Sequence, residues 1–207
     1  MIAVDPTDVE MSKDRTIRGR IGGELMDLNE AIRRRRSIRR FTGQSVALDR
    51  LVELVRAGIW APTAGNVQSW RFVIVNDKGV LDRIKAVSPG MLGMPTALIV
   101  ICQDKDLAFQ KGSMLGRDVG SVMDAAMAAQ NIMLAAHASG LGSCAVLSFH
   151  AETVRRFLDM PVSVRPELLI TIGVPATCPD PPKREVNGIA FVNSMAHDIS
   201  LGEDLAH

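Results

Sequence analysis

Apolar residues along this chain recur either at helical spacing or in short unbroken runs, and the order of the two patterns gives the first view of the fold. Leu28, Ala31 and Ile32 follow Asp27 at helical spacing, and Asp27 is suited to cap a helix N-terminus. A second helical stretch covers Asp49–Ile59, with Leu51, Val52, Leu54 and Val55 apolar. Trp60 to Asn66 reads as a loop of proline, glycine and small residues. Trp70–Val75 is a buried strand by its aromatic and β-branched content. A short helix is expected over Val80–Val87 and a second buried strand over Ala97–Cys102. Gln103–Arg117 is polar without a clear period and is expected to be an irregular lid.

Asp118–Ser139 is the longest helical segment and is apolar nearly all round, which places it in the middle of the molecule. Gly140 supplies a left-handed cap to end it. Further elements are expected as a strand at Cys144–Phe149, a helix at Ala151–Leu158 and a strand at Leu168–Val174. After Pro175 the chain turns proline-rich and then has little core of its own. The pattern predicts an α+β fold, an α/β sandwich around a small central sheet with one long central helix. Residues 1–26 read as a flexible arm, 27–186 as the folded domain and 187–207 as a C-terminal extension.

With 207 residues there is room for one well-buried domain. A hydrophobic content of 47% is high for a small monomer, and a covering partner subunit explains it best. The formal net charge is +1, which gives no general attraction to nucleic acid or to an anionic membrane. Three cysteines, none in a CxxC pair, suit a reducing compartment, and with no apolar leader this points to the cytoplasm. Neither these cysteines nor His137 and His150 have recognisable metal-ligand spacing.

Two stretches carry candidate chemistry. From Arg33 to Arg40 the chain holds six arginines in eight positions. They suit a solvated helix end, whose dipole favours cations, or a nucleic-acid patch, or a phosphate site in which guanidinium groups fork onto oxygens and Ser37 adds a hydroxyl. The loop Ala61-Pro62-Thr63-Ala64-Gly65-Asn66 is either an ordinary helix-to-strand connection or a place where backbone approaches a flat ligand, with Thr63 and Asn66 at its edge. Neither a G-x-G-x-x-G fingerprint nor a P-loop is present.

Arg35-Arg36-Ser37-Ile38-Arg39, followed about 22 residues later by Ala-Pro-Thr-Ala-Gly-Asn-x-Gln-x-Trp, resembles the nitroreductase family. The Ala-Ala-x-Asn-x-x-Leu-Ala-Ala helix entering Gly-Leu-Gly-Ser, the Ile172-Gly173-Val174-Pro175 strand end and the late Lys183-Arg184 resemble it too, in the same order over roughly residues 27–186. The resemblance implies a homodimer with a swapped C-terminal tail and one FMN in each of two interfacial sites. Arg35, Arg36 and Ser37 would hold the ribityl phosphate, with Arg184 approaching from the C-terminal side. Arg39 would face the N1–C2=O edge and stabilise the charge that collects there on reduction. Pro62, Thr63, Ala64 and Asn66 would come from the other subunit, and Leu147 or Ser148 would offer a backbone N–H to N5.

The implied reaction is a ping-pong transfer of hydride from NADH or NADPH, through flavin N5, to a flat electron-poor acceptor such as a nitroaromatic or a quinone. Alternatives within the same fold are flavin fragmentation, dehalogenation, dehydrogenation or non-enzymatic FMN binding. The chain departs from the family pattern at several points. Ser69 replaces the usual proline, Lys183 and Arg184 are adjacent, and Val146-Leu147-Ser148 lacks a Glu-Gly pair. The chain has no tyrosine.

Overall fold

A computed structural model of the chain describes residues 20–21 and 24–197. Most of the expected N-terminal arm and the last ten residues of the C-terminal extension lie outside the described residues. Within the arm, Arg20–Ile21 (β1) pairs antiparallel with Glu24–Leu25 (β2), a ladder too short to leave a period in the sequence.

The centre is a four-stranded sheet of Trp70–Val75 (β3), Ala97–Asp104 (β4), Gly142–Val146 (β5) and Val164–Gly173 (β6). Its order is β3-β4-β6-β5 and every pairing is antiparallel. Successive side chains of a strand point to opposite faces, and here both faces are covered. Ala97, Ile99 and Ile101 of β4 pack with Leu51 and Leu54 of α2 (Leu48–Gly58) and with Ala125, Ala129 and Ile132 of α5 (Ser121–Ala138). Leu98, Val100 and Cys102 pack with Leu81 and Ile84 of α3 (Lys78–Ala86) and Val154 of α6 (Ala151–Phe157). Two buried faces explain why β4 reads as a continuous apolar run. The result is the α+β sandwich expected from the sequence.

The central helix lies on α2 with little between them. A Cβ on Gly58 would stand 3.0 Å from Ile132 Cδ1, and Asn131 Nδ2 donates to the Ala57 carbonyl at 3.3 Å. Gly140, at φ 75°, ends the helix as expected. No helix among the described residues is long and apolar enough to cross a membrane.

One expectation is overturned. Gln103–Arg117 is not an irregular loop: Lys105–Leu115 forms a helix (α4) that continues into a π-turn at Gly116–Gly120. The Asp104 carboxylate caps it by accepting the Leu107 N–H at 3.1 Å, and Lys105 anchors it to Glu167 of β6 at 2.6 Å. Ala108 is its one buried side chain, and Ser113 kinks it at φ 57° and ψ −160°. A kinked helix that buries so little has almost no amphipathic signal to read.

Strand bounds shift for equally local reasons. β5 begins at Gly142 and ends at Val146, short of the expected Phe149, because Leu147–His150 bends onto the loop after α3. There Gly90 N donates to Ser148 O at 3.0 Å and His150 N to Val87 O at 2.9 Å. β6 starts at Val164, before the expected Leu168, and places Pro166 opposite Cys102 where the register shifts. Beyond Ile172 only Val174, partly buried, packs against the apolar core among the described residues.

Ile132 is fully buried between α2 and the sheet. Ile132→Ala removes three buried carbons from a site held by its neighbours, so unfolding stability should fall by about 2–5 kcal/mol. Denaturant titration is the measurement, and a loss below about 1 kcal/mol would mean that α5 is not packed as described.

Candidate functional site

The arginine run begins in a short helix, Leu28–Arg34 (α1), capped by the Asp27 carboxylate, which accepts the Asn29 N–H at 2.8 Å and the Glu30 N–H at 3.4 Å. The arginines then divide. Arg34 pairs with Glu30 at 2.9 Å on the exposed side of the helix. Arg36 turns back and donates to the Arg33 carbonyl and, at 2.5 Å, to the Arg35 carbonyl. It thereby satisfies oxygens that the end of a helix leaves open. Its Nε is buried and has no partner.

Arg35 is half-buried at the C-cap, and among the described residues no carboxylate pairs with it. Burial pulls its guanidinium below the usual range, and the neighbouring cations Arg36 and Arg184 pull it further. His137, near the end of α5, feels the same field: burial lowers it first, then Arg35 and Arg36, and Arg34 adds to these against an opposing Glu30. Its Nε2 is also buried without a partner. A half-buried cation with like charges beside it and no counter-ion is costly by itself and becomes favourable once an anion arrives. The unpaired Arg35, the orphaned Arg36 Nε and the adjacent Arg184 together fit a phosphate. Lys183 is turned away into an exposed pair with Glu185.

From Ser37 the chain runs extended along the sheet edge. Ser37 forms a parallel bridge with Ser143, Ile38 N donates to Ser143 O at 2.9 Å, and Phe41 bridges Pro175. Three glycines make room for it. A Cβ on Gly142 would come within 2.7 Å of Ile38 Cγ2, and one on Gly173 within 2.7 Å of Phe41 Cδ1. Gly93, at φ +78°, faces the Arg39 carbonyl so closely that a Cβ would lie 1.9 Å from the oxygen. The Arg39 side chain is exposed. Leu147 is exposed too, and Ser148 stands over Gly90 of the same loop, where a Cβ would be 3.1 Å from Ser148 Cβ.

The second candidate loop folds as a 3-10 turn, Ala64–Asn66, in which Gly65 and Asn66 have φ of 59° and 53° and Gln68 follows at 53°. Ala64 N donates to Asp124 Oδ1 at 3.1 Å, Asn66 N to Thr63 O at 3.0 Å, and Gln68 Nε2 to Asn66 Oδ1 at 2.6 Å. Pro62, Ala64 and Asn66 are exposed and Thr63 is partly so. Ser69, where the family pattern has proline, is buried and donates to Gln103 Oε1 at 2.7 Å. A cavity of about 180 Å3 opens between this loop and the α4–π-turn segment, lined by Ala64, Val67, Ala108, Leu115, Gly120 and Asp124.

Arg35, Arg36, Ser37 and Arg184 therefore come together, and Arg39, Leu147 and Ser148 follow along the same edge of the sheet through the Gly90–Gly93 loop. Pro62, Thr63, Ala64 and Asn66 do not join them. The arginines lie at the C-terminal end of α5 and the loop at its N-terminal end; from Asp124 to Ser139 the helix rise alone is roughly 22 Å. Sequence reasoning missed Asp124 and Gly93. Asp124 had a signal, being the lone carboxylate in an otherwise apolar helix, whereas Gly93 had none until the fold brought it onto Arg39.

The sequence pattern of the nitroreductase family matches residues 32–88 and 85–174, which includes both candidate stretches. A protein of Methanothermobacter thermautotrophicus assigned as an NADH dehydrogenase/NAD(P)H nitroreductase is 32% identical over 160 residues, covering 74% of this chain and 80% of its own. The FMN reductase (NADPH) of Bacillus subtilis is 29% identical over 162 residues, covering 71% of this chain and 65% of its own. Among solved structures, a protein of Desulfovibrio desulfuricans assigned as a nitroreductase, in complex with FMN, superposes with a TM-score of 0.68 at 29% identity. That match covers 76% of this chain and 91% of the other. The fold is a three-layer α+β sandwich with an arginine cluster at the end of its central helix. The chain belongs to the nitroreductase family.

The two inward arginines should respond oppositely to truncation in ligand-free protein. Arg36→Ala strips charge-assisted bonds from the end of α1 and should cost about 1.5–3 kcal/mol. Arg35→Ala relieves an unpaired cation and should leave the melting temperature unchanged or raise it. Thermal denaturation of both variants checks this, and a large destabilisation by Arg35→Ala would mean that it already has a counter-ion.

Proposed function

We propose that this chain is an FMN-dependent oxidoreductase that takes electrons from NADH or NADPH and passes them, in ping-pong fashion, to a flat electron-poor acceptor of the nitroaromatic or quinone type. The observation that carries this reading is the half-buried arginine cluster, in which no carboxylate among the described residues neutralises Arg35. Bound FMN supplies the hydride chemistry, at its N5 atom. Everything else falls to the chain. Arg35, Ser37 and Arg184 hold the phosphate, and Arg36 fixes the end of α1 beside it while keeping its Nε available. Arg39 provides positive charge at the N1–C2=O edge, its backbone set by Gly93. Ser148, whose carbonyl accepts the Gly90 N–H, and the exposed Leu147 beside it would offer a backbone N–H to N5.

The working unit is a homodimer with a site at each end of the interface. Because loop 62–66 and the arginines of its own chain lie at opposite ends of α5, the loop serves the flavin of the other subunit. Three further features support a partner. Val122 and Met123 on α5 and Leu28 and Ile32 on α1 are exposed. Among the described residues nothing pairs with the outer edge of β3, and open strand edges are normally covered. The extension after residue 186 exposes Ile189, Val192 and Met195, as a tail laid across another subunit would before docking. Residues 27–186 form the FMN-binding domain. Three free cysteines, with burial pushing the Cys102 thiol up to about 12, suit a cytoplasmic protein.

Protein supplemented with FMN should show flavin absorption at about 450 nm and should consume NADH or NADPH when a quinone or nitroaromatic is added. Arg35→Ala should weaken FMN binding by about ten- to a hundred-fold, with saturating FMN restoring turnover. Arg39→Ala should instead lower the midpoint potential and slow reduction with the site full. An unchanged potential in Arg39→Ala together with a lowered one in Arg35→Ala would refute this division of roles.

A further inference from the structure

Asp124 is the only charged residue among the buried polar groups described, with 2% of its surface exposed. It sits in the first turn of α5 beside an apolar cavity, where burial pushes its carboxyl up and the Ala64 N–H partly offsets the shift. Nothing in the core needs a carboxylate there, and an apolar side chain would suit the surroundings better. What it touches is specific. Its Oδ1 accepts the amide that opens the 3-10 turn, just before three residues held at positive φ, two of them not glycine. Non-glycine residues in that region carry strain, asparagine least, and the turn's own bonds to Thr63 and Asn66 hold it together with the Asp124 contact from outside.

Three residues earlier on the same helical turn, the Ser121 hydroxyl accepts Lys105 Nζ at 2.9 Å, and Lys105 also donates to the Arg117 carbonyl at 3.2 Å. Ser121 thus ties down the α4–π-turn wall of the cavity, and Asp124 ties down the loop wall. One turn of one helix sets the gap between them.

We propose that Asp124 is the positioning residue of the flavin-contacting loop, fixing residues 63–68 through the Ala64 amide so that the loop meets the flavin of the other subunit in a preset shape. This rests on the reading of loop 62–66 given above. It requires only that Asp124 accept a hydrogen bond, so the uncharged isostere should replace it and alanine should not.

The test compares full-length wild type, Asp124→Ala and Asp124→Asn by amide hydrogen exchange of peptides covering residues 61–69 in FMN-free protein, by thermal denaturation and by FMN titration. Asp124→Ala should speed exchange in that segment by about ten-fold or more, leave the melting temperature unchanged or raised, and weaken FMN binding by about ten-fold. Asp124→Asn should behave as wild type in exchange and in FMN affinity. Unchanged exchange in Asp124→Ala, or equal loosening in Asp124→Asn, would overturn the proposal, as would a rise in exchange spread evenly over the protein with a matching fall in melting temperature. If the alanine variant does not fold, Asp124→Ser, too short to reach Ala64, is judged by the same criteria. Failure of wild type to bind FMN would sink the functional reading alone, because the exchange comparison needs no flavin.

Discussion

A helix of 18 residues is about 27 Å long, and the length of α5 governs how this protein can be built and used. Its apolar body is clamped between α2 and the sheet, so its two ends hold fixed positions in the molecule. At one end the chain gathers Arg35 and Arg36 beside His137, with Arg184 close to Arg35. At the other, Asp124 holds the small-residue loop. On the proposed reading the flavin needs both groups, and within one chain they lie at opposite ends of α5. On that reading two-fold pairing would meet the requirement, since a second copy inverted beside the first would bring each loop to the other's arginines.

Each end carries a cost that folding alone does not require. Arg35 is partly desolvated among cations, and Asp124 is a carboxyl buried in apolar surroundings. The core itself follows simple rules: β4 alternates its side chains between two apolar layers and the glycines at 142 and 173 admit Ile38 and Phe41. Departures from those rules concentrate at the two ends of α5, as expected where preorganisation for a ligand outweighs local stability.

Much of this was legible in the sequence because periodicity reports burial. β3 begins and ends where its aromatic and β-branched run does, and α5 announced its central place by being apolar nearly all round. α4 was illegible for the same reason in reverse: it buries only Ala108, so composition had nothing to record. The arginine cluster could be read as a phosphate site, but sequence spacing could not show that Arg36 turns inward onto carbonyls while Arg35 meets no carboxylate among the described residues. Gly93 was invisible because its partner, the Arg39 carbonyl, is 54 positions earlier in the chain and is met only through the fold. The residues named from family resemblance fall into two groups that sit at opposite ends of α5 within one chain.

Complementation between two defective chains tests the composite site most directly. One chain carries Arg35→Ala with its loop intact; the other keeps Arg35 but carries Ala64→Trp, which blocks the loop. Each is expressed alone and the two are co-expressed at equal levels, and FMN is then titrated at concentrations that leave both parent proteins nearly empty. If the site is shared, each mixed dimer contains one site with an intact arginine cluster and an intact loop, so about a quarter of all sites should regain wild-type affinity. If mixing yields no more bound FMN than the average of the two parents, the arginines and the loop do not serve one flavin across two chains, and the account of α5 as the spacer between them is wrong.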